Sequence, residues 1–198
     1  MDFNFEKEII LEDDRVKLRP LLPSDLDNLL PPAASDEKLV QYSPKPIHTK
    51  ELMTEYIKTA LADRTTHDRY AFTIFDKQAN AYAGSTSFLF VSNYNLRLEI
   101  GHTWLGTGFQ KTGLNRHCKF LLLSYAFDEL GFERVEFKTD ERNNASRTAI
   151  EKIGGKLEGI LRSHTLMNDG FRRNSVYYSI LKSEWPAVKL QFAAGKLH

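Results

Sequence analysis

The 198-residue chain reads as one α/β domain spanning residues 1–198, built on a mixed, mostly antiparallel sheet with helices on both faces. Three features predict this class. Apolar residues recur with period two in a block between Tyr70 and Leu105, the mark of adjacent half-buried strands. A helical stripe starts at Asn115, followed by a further strand, a helix and a hairpin signal. No repeat, low-complexity tract or Pro-rich linker divides the chain.

Val16 and Leu18 mark a first strand that closes at Arg19-Pro20. Ser24 is placed to cap a helix running through Asp25 to about Leu30, with Pro31-Pro32 as its stop. Thr49 is a second N-cap, for a helix to about Asp63 with Leu52, Tyr56, Ile57, Ala60 and Leu61 at helical spacing. Tyr70, Phe72 and Ile74, then Tyr82 to Val91, give two strands turned by Asp76 to Asn80, and Leu96 to Leu105 a third, so that an antiparallel meander forms the centre. Cys118, Leu121, Leu122, Tyr125, Ala126 and Leu130 then repeat as a helix, and Gly131 ends it. Arg134 to Thr139 is a short strand. Asn144 to Ile153 is a helix with Ala145, Ala149, Ile150 and Ile153 inward, stopped by Gly154-Gly155. Lys156 to Met167 and Phe171 to Leu181 flank Asn168-Asp169-Gly170, whose Asp-Gly is a strong hairpin signal.

Composition narrows the function classes. Apolar residues at 41% and charged residues at 27% are those of an ordinary globular domain. Lys plus Arg (27) nearly cancels Asp plus Glu (26), so no long-range field draws a polyanion, and no direct nucleic-acid binding is expected. The most apolar stretch, around Leu121-Leu122-Leu123, falls far short of the roughly 18 residues of a membrane span. The first residues, Met1 to Glu6, are acidic where a secretory leader is basic, which points to a cytoplasmic protein. Cys118 is the only cysteine, so a disulfide within the chain or a Cys-rich zinc site is excluded, and its helical apolar position makes it core. No metal is expected; monomer and homodimer both stay open.

The strand ending at Leu105 runs through Gly106-Thr107-Gly108-Phe109-Gln110-Lys111-Thr112-Gly113 directly into the strong helix. Glycines there let the backbone bend closely around a ligand, and the helix start offers unpaired N–H groups and the positive dipole end, a combination suited to a pyrophosphate. Gly108 to Gly113 has phosphate-loop spacing, but Leu114-Asn115 stand where Lys-Ser/Thr would be needed, which disfavours an NTPase. Gly106 and Gly108 open a dinucleotide fingerprint, but Lys111 takes the third glycine position and the neighbouring strands read as antiparallel.

Gln110-Lys111-Thr112-Gly113-Leu114-Asn115 resembles the coenzyme A loop of the GNAT acetyltransferase superfamily, Gln/Arg-x-x-Gly-x-Gly/Ala, with a departure at the last position. Arg134 to Asp140, followed by Asn143-Asn144-Ala145-Ser146-Arg147 and Ala149 to Gly154, looks like the Asn-x-x-Ser helix of the ribosomal-protein N-terminal acetyltransferase branch, in which Asn at position 115 is familiar. Glu158 to Arg162, the Asp169-Gly170 turn and Tyr177-Tyr178-Ser179-Ile180 match that branch's closing hairpin. The resemblance covers roughly Val16 to Trp185. It implies a V-shaped splay between the fourth and fifth strands, the one ending at Leu105 and the one starting at Arg134, into which the pantetheine of acetyl-coenzyme A inserts. It further implies that the amides of Gln110, Lys111, Thr112, Gly113, Leu114 and Asn115 hold the pyrophosphate and that Asn143 bonds the pantetheine arm; a turn or helix cap is the alternative role for Asn143. Trp104 and Leu105 would line the slot, although core packing explains Trp104 equally well.

Acetyl transfer to an amine needs a neutral amine, a polarised thioester carbonyl and a stabilised leaving thiolate. An α-amine with pKa near 8 is about one tenth neutral at pH 7, whereas a lysine near 10.4 is far less so; a modest base then suffices for an N-terminal acceptor. Glu99, beside the expected slot, is the candidate base, directly or through a water, with a solvated carboxylate or an ion pair with Arg97 as the alternative. His102, where the branch usually has an aromatic residue, is its rival or a structural histidine. On a regular strand positions 99 and 102 face opposite ways unless a bulge intervenes. Ser146, one helical turn after Asn143, stands where the resembling enzymes have a Ser or Tyr at the sulfur, which implies that it protonates the thiolate or, as a weak acid, only hydrogen-bonds it; an N-terminal cap is its alternative role. Trp185 reads as structural. The expected acceptor is a primary amine, with a protein N-terminus favoured by the branch resemblance and an antibiotic or polyamine as the nearest rival. A non-catalytic acetyl-coenzyme A sensor is the competing class, and would need neither Glu99 nor Ser146.

Overall fold

The computed structural model describes residues 2–167 and 169–193. In chain order the elements are β1 (Leu11–Glu12), β2 (Val16–Pro20), α1 (Leu26–Ala33), α2 (Lys50–Thr65), β3 (Arg69–Asp76), β4 (Ala81–Ser92), β5 (Arg97–Leu105), α3 (Leu114–Ser124), β6 (Arg134–Asp140), α4 (Asn144–Lys152), β7 (Lys156–Leu166), β8 (Arg172–Leu181) and α5 (Trp185–Ala193). The strands form one sheet in the order β1-β2-β3-β4-β5-β6-β8-β7. Neighbours are antiparallel except β5 and β6, which are parallel because α3 carries the chain back between them.

Each sheet face has its own core. On one, Leu98 and Ile100 of β5, Val135 and Phe137 of β6, and Tyr178 of β8 pack with Cys118, Leu122 and Ala126 from α3 and its extension. On the other, Leu29 and Ala33 of α1 and Met53, Ile57 and Ala60 of α2 pack with Ala71 and Trp104. Among the described residues no helix is long and apolar enough to cross a membrane.

Most predicted elements stand, with corrections at their ends. Ser24 does not cap α1; it lies in a 3-10 turn, Pro23–Asp25. The buried Asp25 anchors the turn instead, accepting from the Leu22 amide, Asn28 and Thr73, each at 2.9 Å, and from Arg19 at 2.8 Å. Burial raises that carboxyl, but Arg19 and the other donors overcome it and hold it below its ordinary range. Pro31 and Pro32 do not stop α1 but lie inside it, because their fixed φ is already helical; Ala34 N–H closes the end on Leu30 O at 2.9 Å. Thr49 does cap α2, accepting from Leu52 N–H at 3.3 Å. After Ser124, α3 widens into a π-turn, Tyr125–Glu129, and the extra residue brings Phe127 inward beside Tyr125 and Ala126. Ile150 and Ile153 are buried as expected, whereas Ala145, in the exposed first turn of α4, is not. Asn168 lies outside the described residues; beside it Gly170 has φ 81 and Phe171 N–H donates to Asp169 Oδ1 at 3.0 Å. Two elements went unpredicted, β1 and α5. Trp185 is structural: it is buried at the start of α5, and its Nε1 donates to Asp128 at 2.9 Å.

Lys119 of α3 points into the larger core. It is 6% exposed, and its Nζ donates to Thr103 Oγ1 at 2.7 Å. It forms no ion pair among the described residues, and burial pushes its pKa down to about 8.

Candidate active site

β5 and β6 share three registered pairs: Arg97 with Arg134, Leu98 with Val135, and Glu99 with Glu136. Beyond them β5 continues to Leu105 bonded to β4, and β6 continues to Asp140 bonded to β8, so a gap opens between the two strands. This is the expected splay; the additional strand β1 makes its walls the fifth and sixth strands.

A bulge sits where the strands part. Gly101 pairs with Ser87 and Trp104 with Ser85, so His102 and Thr103 stand opposite Thr86 alone, and His102 takes φ 47. Such an insertion bends the strand that carries it. Across from its far end, Gly84 has φ 156, and a Cβ there would lie 2.1 Å from the Trp104 carbonyl oxygen; only glycine lets β5 close on β4 at this point.

The bulge also reverses which residues face which core. Before it, Leu98 and Ile100 face α3; after it, Thr103 meets Lys119 of α3 while Trp104 joins the α1 and α2 side. Glu99 and His102 therefore come under shared influences: Lys138 and Arg173 act on both.

Glu99 is 3% exposed, with Lys138 Nζ at 3.4 Å. It is thus neither solvated nor paired with Arg97, which reaches Glu136 across the strands at 3.4 Å. Lys138 replaces Arg97 because it is the next residue on the same face of β6 after the last registered pair. Burial raises the Glu99 carboxyl above its usual range, and Lys138 offsets part of that rise. His102 is exposed; crowding by protein first, then the cations Arg69, Lys138 and Arg173, lower its imidazole below the ordinary range.

Where β5 leads into α3, Lys111 has φ 59 and Gly113 φ 86. The amides of Lys111, Thr112, Gly113 and Asn115 have no acceptor among the described residues, and Leu114 N–H has only Thr112 Oγ1 at 3.4 Å. Successive free N–H groups in such a turn, at the positive end of a helix, form a concave anion site. A Cβ on Gly113 would meet nothing within 4 Å, so its left-handed φ, and not crowding, selects glycine. Gln110 serves the loop itself: its Nε2 donates to Leu105 O at 3.0 Å and its amide to Thr107 O at 3.3 Å. Asn115 Oδ1 is buried without a partner. Leu105 is buried in the larger core.

Past the end of β6, Asn143 caps α4, accepting Ser146 N–H on Oδ1 at 3.0 Å. The cap role is therefore Asn143's and not Ser146's. Among the described residues the Asn143 amide nitrogen and the Ser146 hydroxyl make no hydrogen bond, so both can serve a ligand.

Sequence reasoning missed the polar groups on the Trp104 side. Arg69 donates to Tyr56 Oη at 2.6 Å and to Ser87 Oγ at 2.8 Å, while Tyr56 bonds Ser85 Oγ at 3.0 Å and accepts Trp104 Nε1 at 3.3 Å. The Trp104 indole is thereby committed to Tyr56. The available signal was Tyr56 on the apolar stripe of α2. Elsewhere, Asp13, Asp14 and His117 bring potential metal-ligand atoms within 4.8 Å of one another, and Asp13 Oδ2 already lies 2.6 Å from His117 Nδ1.

The model of the acetyltransferase (GNAT) domain family matches residues 15–156, and the chain belongs to that family. It is 35% identical over 106 residues to a Bacillus subtilis (strain 168) protein named "Putative ribosomal N-acetyltransferase YdaF", a match covering 54% of this chain and 57% of that protein, less than two thirds of its length. A GCN5-related N-acetyltransferase from Brucella melitensis has a crystal structure that superposes with a TM-score of 0.86 at 29% identity, covering 95% of this chain and 85% of that one. A crystal structure of a "putative acetyltransferase" from T. thermophilus gives 0.84 at 32% identity, with 96% of this chain and 97% of that one covered.

Proposed function

We propose that this chain is an acetyl-coenzyme A-dependent N-acetyltransferase that acts on the α-amine of a protein N-terminus. The observation that carries the reading is the early parting of β5 from β6 next to a turn of free amides at the start of α3. The amides of Lys111, Thr112, Gly113 and Asn115 would hold the pyrophosphate, while β5 at Trp104 and Leu105 would line the slot and the Asn143 amide nitrogen would bond the pantetheine arm. Acetyl-coenzyme A supplies the acetyl group as an activated thioester. Glu99 takes the proton of the attacking amine, directly or through a water, and Ser146 donates a hydrogen bond to the departing sulfur.

Two observations bear on the acceptor. The base is a single buried carboxylate, adequate for an amine of pKa near 8 and weak for a lysine near 10.4. The name of the Bacillus subtilis relative, a ribosomal N-acetyltransferase, is consistent with an amine of a ribosomal component. Incubation with acetyl-coenzyme A and a mixture of free N-terminal peptides, N-terminally blocked lysine peptides and spermidine is expected to add one acetyl mass to the free N-termini. Acetylation confined to spermidine or lysine would overturn the acceptor, and thiol release with no acetylated product would overturn the transferase role.

A further inference from the structure

The proposed base is held by contacts that run across β4, β5, β6 and β8, which are neighbours in the sheet. Leu89 of β4 pairs with Glu99 on β5, and Glu99 pairs with Glu136 on β6. Lys138, the next residue on the same face of β6, pairs with Tyr177 on β8. Glu99 Oε2 lies 3.4 Å from Lys138 Nζ, and Oε1 lies so close over Gly101 that a Cβ there would come within 2.9 Å of it. Both oxygens are thus placed, one by a cation and one by the bare backbone of β5.

Lys138 is itself held. Its Nζ lies 5.1 Å from the centre of the Phe90 ring and 5.9 Å from that of Tyr177, distances at which a ring face attracts an ammonium. Phe90 lies in an irregular stretch of β4: pairing with β5 breaks after Leu89 and resumes at Ser92, and Phe90 takes φ 49, a left-handed conformation that strains a bulky residue. Its side chain is 53% exposed, so packing into a core does not account for that strain, whereas contact with Lys138 does. Among the described residues Lys138 is the only ion-pair partner of Glu99. The other titratable groups that act with Glu99 are Glu136, Arg173 and Tyr177. Glu136 is engaged by Arg97 at 3.4 Å and by Arg134 at 2.9 Å, and Arg173 gives Nη1 to the main-chain oxygen of Tyr42 at 2.7 Å. Burial, then Glu99, raises the Tyr177 hydroxyl above its ordinary value, so it stays neutral over the acid range. Without Lys138, a carboxylate only 3% exposed would be a buried charge with no partner, which favours its protonated form.

We propose that Lys138 is a positioning residue for the acetyl transfer: seated against Phe90 and Tyr177, it fixes the Glu99 carboxylate where β5 and β6 part and keeps it an anion able to take the acceptor's proton. The inference rests on the reading of Glu99 as the base. Lys138 exchanges no proton, and that of the amine still passes to Glu99, directly or through a water. Burial raises the Glu99 carboxyl and Lys138 lowers it, so without Lys138 the base is lost at a higher pH as the solution is acidified.

The test follows kcat/KM against pH for the full chain with acetyl-coenzyme A and a free N-terminal peptide. Lys138→Met and Lys138→Gln, two neutral replacements so that the result does not hang on one variant folding, are each expected to move the acidic limb upward by about one to two pH units, the effect of losing an opposite charge at this distance. The KM for acetyl-coenzyme A should change little. Lys138→Arg keeps the charge and should bring the limb most of the way back. In a Glu99→Gln background, which lacks the limb, Lys138→Met should change turnover little. A limb that stays in place in the neutral variants, whether rates are lowered equally at every pH or not at all, would overturn the inference while leaving Glu99 as the base. A limb that Lys138→Arg displaces as far as Lys138→Met would overturn it as well. Full turnover by Glu99→Gln alone would remove the base and this inference with it.

Discussion

Replacing Glu99 with glutamine is expected to lower kcat by about 10²- to 10⁴-fold, the usual contribution of a positioned general base, while raising the melting temperature at pH 7. The two effects share a cause. Burial lifts the Glu99 carboxyl above its unfolded value. A carboxyl shifted that way favours folding below its unfolded pKa and loses that contribution as pH rises through the folded pKa. At neutral pH the buried charge is a net cost that glutamine removes, and Lys138, with a side chain 20% exposed, can turn to water when its partner is gone. The same shift sets the activity profile: turnover of the unaltered protein should fall as pH drops through the raised pKa, and the variant should lack that limb. An unchanged kcat would move the base elsewhere. A lower melting temperature would mean that the ion pair with Lys138 outweighs the burial of the charge.

Lys119→Met is expected to stabilise the protein by about 3 kcal/mol at pH 7, the equivalent of a fall in pKa from 10.5 to about 8. Methionine keeps the length and removes an unpaired buried cation, and the Thr86 and Thr103 hydroxyls, 2.7 Å apart, still satisfy each other. The sign follows from a depressed lysine pKa: its favourable contribution is present above the unfolded value and is lost as pH falls through about 8. The advantage of the variant in urea unfolding should accordingly be full at pH 7 and shrink towards pH 10. A gain that is absent at pH 7, or that grows with pH, would contradict this account of Lys119.

The meander, the α3 stripe and the closing hairpin were legible because periods of two and of 3.6 residues leave direct marks in sequence. The glycine turn before α3 was legible for a related reason: Gly113 stands where a left-handed residue must precede a helix. What stayed hidden depends on register. The bulge puts a histidine, not a glycine, at positive φ, so nothing in the residue type announced that faces would switch between Ile100 and Thr103. Lys138 as the partner of Glu99 required knowing that Glu99 pairs with Glu136. At α1, the stop signal of Pro31-Pro32 misled because proline's fixed φ is already helical, and the Ala34 amide still closes the final turn on Leu30 O. The Asn143 cap was foreseen only as the lesser of two roles, and a single side chain can fill both, since its carbonyl serves the helix and its amide nitrogen stays free.

Titrating acetyl-coenzyme A into the protein while following its melting temperature tests most directly whether the strand gap and the amide turn together hold that molecule. At about one hundred times Kd the complex should gain about 2.7 kcal/mol, a rise of roughly 5 to 11 °C for a chain of this size. Acetylated pantetheine, which lacks the diphosphate, should shift it far less at the same concentration. A melting temperature that millimolar acetyl-coenzyme A leaves unmoved, or that both compounds raise equally, would contradict the account.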